Sequence, residues 1–330
     1  MADPQADPAG TTAAPAGNAA PLIEFVDVTK RFGHVRAVDG MSFAIRPGRT
    51  LGMVGESGCG KSTVARLVLG LEHATGGTLR FDGRPYPESD RGLRELRGQV
   101  AMVFQDPYES LDPRLSLREI VAEPLKAHGM WRGSGPGRVR ELLDAAGLPG
   151  ADLGSRPGDY SGGGRQRIGI ARALASRPRL VVCDEPTSAL DVSIQAQIIN
   201  LLLRLQAEHG LAYLFISHDL DVVRRVSDDV AVVYAGAIME EGPTAAVSAD
   251  PRHPYTQALL SAVAGLSPDQ RRLDRRIRLG EERAAAPEGC PFAGRCPAVH
   301  DACSARPPLQ DIGGGRRVAC HLVSPGKPTP

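Results

Sequence analysis

Apolar and polar positions alternate from Leu22 onward. Ile23, Phe25 and Val28 sit among Glu24, Asp27 and Lys30, the two-residue period of a half-buried strand. Further strands are predicted over residues 41–45, closed by Pro47-Gly48, and over 50–54, which runs straight into a glycine-rich loop. A helical period follows over 61–71, then strand patterns over 78–81 and 100–104. Pro107, Pro113, Pro124 and a Gly/Pro cluster at 133–137 break up the next stretch, leaving helical pieces over 117–128 and 138–146. After Ser161 the pattern gives a helix to about residue 175, a wholly apolar strand over 180–183, a helix over 194–209 and a strand over 213–216. Strands alternating with helices predict an α/β fold with a parallel sheet covered on both faces. The alternation stops near Pro251, and the remainder is rich in Pro and Arg. The expected division is a disordered tail over 1–20, one α/β unit over 21–250 with a helical segment inserted at about 106–160, and an extension over 251–330.

Composition narrows the class. Lys plus Arg number 39 and Asp plus Glu 38, a formal charge of +1. Arg is scattered along the chain and forms no basic face, so nucleic acid is not an expected partner. No apolar run reaches the about 18 residues that suggest a membrane span. Residues 1–20 lack the basic start and apolar stretch of a secretory signal. The expectation is a soluble, intracellular chain. Six cysteines in 330 residues form no disulfide framework, although four of them fall in the last 41 positions.

The chemistry begins at Gly55-Glu56-Ser57-Gly58-Cys59-Gly60-Lys61-Ser62-Thr63, which fits G-x-x-x-x-G-K-[ST] between a predicted strand and a predicted helix. In such a loop backbone N–H groups converge on a phosphate and the helix N-terminus adds positive potential. Lys61 would reach the β- and γ-phosphates, and the Ser62 hydroxyl would face Mg²⁺. Cys59 occupies a variable position, where a plain small side chain is the simpler reading. Downstream, the apolar strand at 180–183 ends in Asp184-Glu185-Pro186. Asp184 is expected to hold Mg²⁺, and Glu185 to polarise an attacking water.

With these residues in place the chain resembles the ATP-binding subunit of ABC transporters, over about residues 22–250. Ser161-Gly162-Gly163 followed by Arg165-Gln166-Arg167 is similar to the family's signature loop, Pro186-Thr187-Ser188-Ala189-Leu190-Asp191 to its D-loop, and Ser217-His218-Asp219 to its switch histidine. Gln105 stands at the Q-loop position, and Phe32 where an aromatic stacks on adenine, with a plain core role as its alternative. The resemblance implies a P-loop ABC cassette: a RecA-like core, an antiparallel β subdomain and an inserted helical subdomain. It implies ATP and Mg²⁺ as ligands. It places Lys61, Gln105, Glu185 and His218 in catalysis and adds Gln105 to Ser62 and Asp184 around the metal. Ser161, Gly162 and Gly163 would clamp the ATP of an opposite subunit, and Asp191 is a further ATP-binding residue. One departure is Gly164, where the family usually has Gln; Tyr160 is a milder one.

Two stretches resemble the oligopeptide/dipeptide importer branch: residues 105–114 (QDPYESLDPR) and 253–260 (HPYTQALL), the second opening a C-terminal extension. That branch implies peptide uptake, a second ATPase subunit, two membrane-spanning permease subunits and a solute-binding protein, with this chain peripheral on the cytoplasmic face of the membrane. Nickel or another small solute, and a non-transport ABC ATPase, are the alternatives. Cys290, Cys296, Cys303 and Cys320 give C-x5-C-x6-C-x16-C. Some members of the branch hold a [4Fe–4S] cluster on this pattern; zinc and unligated thiols are the other readings here.

Overall fold

The computed structural model describes residues 20–132, 135–262 and 288–323. The tail predicted over residues 1–20 lies, but for its last residue, outside the described residues.

A hairpin of β1 (Ile23–Phe32) and β2 (Val35–Ile45) opens the chain. Both strands run longer than their alternation suggests, because irregularities of register around Val28 and Lys30 interrupt the two-residue period. Next come β3 (Thr50–Val54), α1 (Lys61–Val68), β4 (Gly76–Phe81), β5 (Arg84–Pro85), α2 (Asp90–Arg97) and β6 (Val100–Val103). The helical segment holds α3 (Pro107–Ser110), α4 (Leu117–Ala127) and α5 (Gly135–Ala145), and leads into α6 (Gly162–Ala173). The second half continues with β7 (Leu180–Asp184), α7 (Val192–His209), β8 (Ala212–Ser217), α8 (Leu220–Val226), β9 (Asp229–Tyr234), β10 (Ala237–Pro243), α9 (Thr244–Ala249) and α10 (Pro254–Ala262). In the extension lie β11 (Gln310–Gly313) and β12 (Arg316–Val318).

Local chemistry sets several of these boundaries. Ser116 and Glu119 form a reciprocal capping box at the start of α4. Asp191 caps α7 by accepting from the Ile194 N–H at 3.0 Å, and Gly210, at φ +65°, ends it.

Two sheets result. A small antiparallel sheet has the order β2-β1-β4-β5; the larger one runs β11-β12-β10-β9-β3-β8-β7-β6. Strands β6, β7, β8, β3 and β9 are parallel neighbours. Their alternate residues feed two cores. Val181, Cys183, Tyr213 and Phe215 enter the core shared with the helical segment. Leu180, Val182, Leu214 and Ile216 enter the core shared with the small sheet and α1. A sheet buried on both faces explains why β7 and β8 read as continuous apolar runs. It also aligns the C-terminal ends of β3, β7 and β8 on one edge, where ligands bind in open α/β sheets.

Strands β9 to β12 do not emerge from the hydrophobic pattern. The extension continues the main sheet, since β12 pairs antiparallel with β10. The join is made by Glu240 on β10, which is fully buried. Its carboxylate accepts from Arg316 of β12 at 2.8 Å and from the backbone N–H groups of Arg252 and His253 at 2.9 Å. Removing one partner of such a buried pair costs about 3–5 kcal/mol.

His253 is buried beside this join and its Nδ1 accepts from the Tyr255 N–H at 3.0 Å. Burial drives its pKa down to about 4 from 6.5. Above pH 6.5 both folded and unfolded chains keep it neutral. As the pH falls from 6.5 towards 4, only the unfolded chain takes up the proton, so stability is lost across that window, by up to about 3 kcal/mol. The thermal midpoint of the wild-type chain is therefore expected to drop more steeply between pH 6.5 and 4 than that of His253→Asn. Parallel slopes would show that His253 does not titrate in this way.

Candidate active site

The phosphate loop joins β3 to α1 and is made by close backbone approach. A Cβ on Gly60, at φ +107°, would lie 2.1 Å from the Ala37 carbonyl oxygen, and one on Gly55 would lie 2.1 Å from that of Val233. Neither position can carry a side chain without moving a strand. The Gly236 N–H donates to the Cys59 carbonyl at 2.9 Å and ties the loop to the β9–β10 turn. Lys61 is 5% exposed and its ammonium curls back over the loop. It donates to the carbonyls of Gly55 at 2.7 Å and Glu56 at 2.8 Å. The buried Cys59 thiol is pushed up by desolvation, which outweighs the nearby Lys61 charge. A thiol held neutral beside a lysine serves as packing rather than as a nucleophile.

Strand β7 delivers the acids. Asp184 is 8% exposed at its end. Burial raises the affinity of its carboxyl for a proton, and a hydrogen bond from Ser62 and the charge of Lys61 work against that rise. Glu185 follows with φ +46°, a left-handed conformation on a non-glycine residue, worth about 1–3 kcal/mol of strain. It is held there by its N–H on the Ile216 carbonyl at 2.9 Å. The strained backbone turns the carboxylate towards two predicted partners. Its Oε2 accepts from Gln105 Nε2 at 3.3 Å and lies 3.1 Å from His218 Nδ1. Three polar side chains from the ends of three segments thus meet at one oxygen.

This cluster and the phosphate loop share a cleft of about 550 Å³, lined by Ser57, Gly58, Gly60 to Thr63, Gln105, Glu185 and His218. Ser62, Gln105 and Asp184 also border the adjoining groove. A hydroxyl, an amide oxygen and a carboxylate are hard oxygen donors of the kind Mg²⁺ takes together with waters and phosphates. The residues present therefore fit a Mg²⁺–nucleotide.

Sequence reasoning missed Val35, Arg36 and Ala37 of β2 and the turn residues Ala235 and Gly236, which complete the lining. No motif flags them; the Ala-Gly pair reads only as a turn. Phe32 is 42% exposed with Lys30 over its ring, so it is not a core residue. Its cross-strand partner Val35 enters the lining, and Phe32 stands just outside it.

The remaining predicted residues lie elsewhere. Ser161 caps α6 by accepting from the Gly164 N–H at 3.3 Å, with Gly162 and Gly163 in the first turn. A Cβ on Gly163 would sit 2.5 Å from Ile194 of α7, so this loop and the Asp191 cap are neighbours. They do not line the cleft of their own phosphate loop. Tyr160 lies over Gly164, where an added Cβ would come within 3.0 Å of it, and its hydroxyl is 3.0 Å from Ser155 Oγ.

The four C-terminal cysteines are free thiols, Cys290 and Cys320 buried, Cys296 and Cys303 half-buried. Burial pushes up the thiols of Cys290, Cys296 and Cys320, and neighbouring cysteines add to the rise. Among the described residues no group of three or more His, Cys, Asp or Glu is arranged to hold a metal ion. The [4Fe–4S] cluster suggested by the spacing is thus not supported among the described residues.

The ABC transporter family pattern matches residues 38–188, and the oligopeptide/dipeptide transporter C-terminal region matches residues 239–303. A putative oligopeptide transport ATP-binding protein YkfD of Bacillus subtilis is 45% identical, over 92% of this chain and 95% of its own. The chain belongs to the ABC transporter ATP-binding proteins. The oligopeptide transport ATP-binding protein AppF of the same organism is also 45% identical, over 94% of this chain and 99% of its own. Among solved structures, a post-hydrolysis dimer of the ATP-binding cassette MJ0796 with ADP and Pi superposes with a TM-score of 0.60 at 30% identity, covering 67% of this chain and 98% of that one. The ABC cassette expected from the motifs is the fold found, and the protein is an ATP hydrolase of this type. Among the described residues no helix is long and apolar enough to cross a membrane.

Proposed function

We propose that this ABC ATPase powers the import of peptides, and that hydrolysis takes place where Gln105, Glu185 and His218 meet above the phosphate loop. The single observation that carries the catalytic reading is the Glu185 carboxylate, contacted by both Gln105 and His218 and facing the cleft of Lys61 and Ser62.

In this reading the loop N–H groups and Lys61 bind the β- and γ-phosphates, with Lys61 turning from the Gly55 and Glu56 carbonyls to phosphate oxygens. Ser62 and Asp184 would hold Mg²⁺, with Gln105 beside them, and when bound the ion would supply charge neutralisation at the phosphates. Glu185 orients a water in line with the γ-phosphate and draws off its proton. Gln105 and His218 keep that carboxylate aimed. Catalysis is mostly positioning and charge stabilisation. Phe32, at the rim, stacks on adenine. Ser161, Gly162, Gly163 and Asp191, remote from their own loop, serve the ATP of a facing cassette, so two cassettes close around two nucleotides. The helical segment at about 106–160 and the Gln105 loop carry that closure to two membrane-spanning permease subunits on the cytoplasmic face, with a solute-binding protein delivering substrate. No step runs through the four C-terminal thiols.

Peptides are favoured as cargo by the relatives' names and by the matched C-terminal region. The test is uptake by a strain lacking this chain, with and without complementation. Labelled di- and oligopeptides are expected to accumulate only with the wild-type chain. Complementation that restores nickel uptake and leaves peptide uptake unchanged would contradict the reading.

A further inference from the structure

The extension reaches the phosphate loop itself. Tyr255, on α10, is fully buried, and its hydroxyl accepts from the Glu56 backbone N–H at 3.1 Å. Arg295 lies in the cysteine-bearing segment, and its guanidinium donates to the Glu56 carboxylate at 2.7 Å. Lys61 takes the Glu56 carbonyl at 2.8 Å. A single loop residue is therefore held at its N–H, its C=O and its carboxylate, two of the three by residues far along the chain. The supports are themselves rigid. Phe292 is fully buried and packs edge-on against Tyr234 and tilted against Tyr255, with ring centroids 5.2 Å apart in both pairs. Tyr234 directly precedes the turn that lines the cleft, and the Arg295 guanidinium lies 5.9 Å from its ring.

Glu56 is an anomaly in its place. A loop that gathers N–H groups and a lysine to receive a polyanion carries a carboxylate at its second position. Left unpaired, that charge would oppose the phosphates. An ordinary ion pair between partly exposed groups, here 19% and 41% exposed, adds little to stability. This pair, however, sits on the phosphate loop next to the residues that line the cleft, and a net charge at that range acts on a bound polyanion through the Coulomb interaction.

We infer that Arg295 is a positioning residue for the nucleotide: it fixes Glu56 and cancels its charge, so that the C-terminal extension sets the affinity of the phosphate loop for ATP. The inference rests on the reading that this loop binds ATP, and it predicts a charge effect rather than a packing effect. Removing Arg295 exposes a carboxylate to the phosphates; removing both charges removes the repulsion.

The experiment measures ATP affinity and turnover in the assembled transporter carrying Arg295→Gln, Arg295→Lys, Glu56→Gln or the Glu56→Gln/Arg295→Gln pair. Arg295→Gln is expected to raise the KM for ATP about 10-fold, with kcat at saturating ATP within about 2-fold of wild type. Arg295→Lys should recover most of the affinity, and the double variant should return close to the wild-type KM. AMP, with fewer phosphate charges, should be affected less than ATP. An unchanged KM in Arg295→Gln would overturn the inference. So would a double variant as weak as Arg295→Gln, because the loss would then come from packing. A wild-type transporter that fails to bind ATP at all would instead strike the underlying site reading, and the same titration shows which has failed.

Discussion

Glu185→Gln is expected to lower steady-state ATP hydrolysis by at least about 100-fold while leaving ATP affinity near that of the wild type. The amide keeps the volume of the side chain and can still accept from Gln105 and face His218, whose contacts at 3.3 and 3.1 Å hold the present carboxylate. What it loses is the negative charge that polarises water and takes its proton. The strained backbone at φ +46° does not depend on that charge, so the fold and the nucleotide cleft should survive. The measurement is paired: kcat of the assembled transporter, and an ATP-binding titration of the same preparation. Loss of both would indicate a structural defect, and retention of both would remove Glu185 from the chemistry.

The second large effect is at Lys61. Lys61→Met should weaken ATP binding by about 100-fold or more and abolish turnover at ordinary ATP concentrations. Lys61 is almost wholly buried and makes its contacts to the loop carbonyls of Gly55 and Glu56. Those contacts hold the ammonium next to the place the phosphates would take. Methionine fills the same space without the charge, so unfolding is not the expected outcome; a thermal midpoint close to wild type, measured beside the ATP titration, checks this. The two variants separate binding from chemistry, since one should lose affinity and the other turnover.

Much of this site was legible in the sequence because each part sits at the end of an uninterrupted apolar strand. Strand β3 leads into the phosphate loop, β7 into Asp184-Glu185 and β8 into His218. A doubly covered parallel sheet makes such strands stand out, and its geometry puts their ends on one edge. The last third of the sheet was not legible. Strand β10 carries Glu240-Glu241 at its centre, which reads as polar and exposed. Glu240 is buried only because Arg316, 76 residues later, reaches it from a three-residue strand too short to show a period. The Glu56–Arg295 contact spans 239 residues and has no local signature. The cysteine spacing suggested a shared ligand; among the described residues no metal-holding group is found, and burial pushes up the thiols of Cys290, Cys296 and Cys320.

The central claim is that ATP hydrolysis at Glu185 drives peptide uptake. The most direct measurement is ATP-dependent accumulation of a labelled oligopeptide in vesicles containing the complete transporter, comparing the wild-type chain with Glu185→Gln. Accumulation against a gradient with the wild type, and none above the ATP-free background with the variant, is the result expected. Equal accumulation by both, or none by a wild-type complex that hydrolyses ATP, would contradict the account.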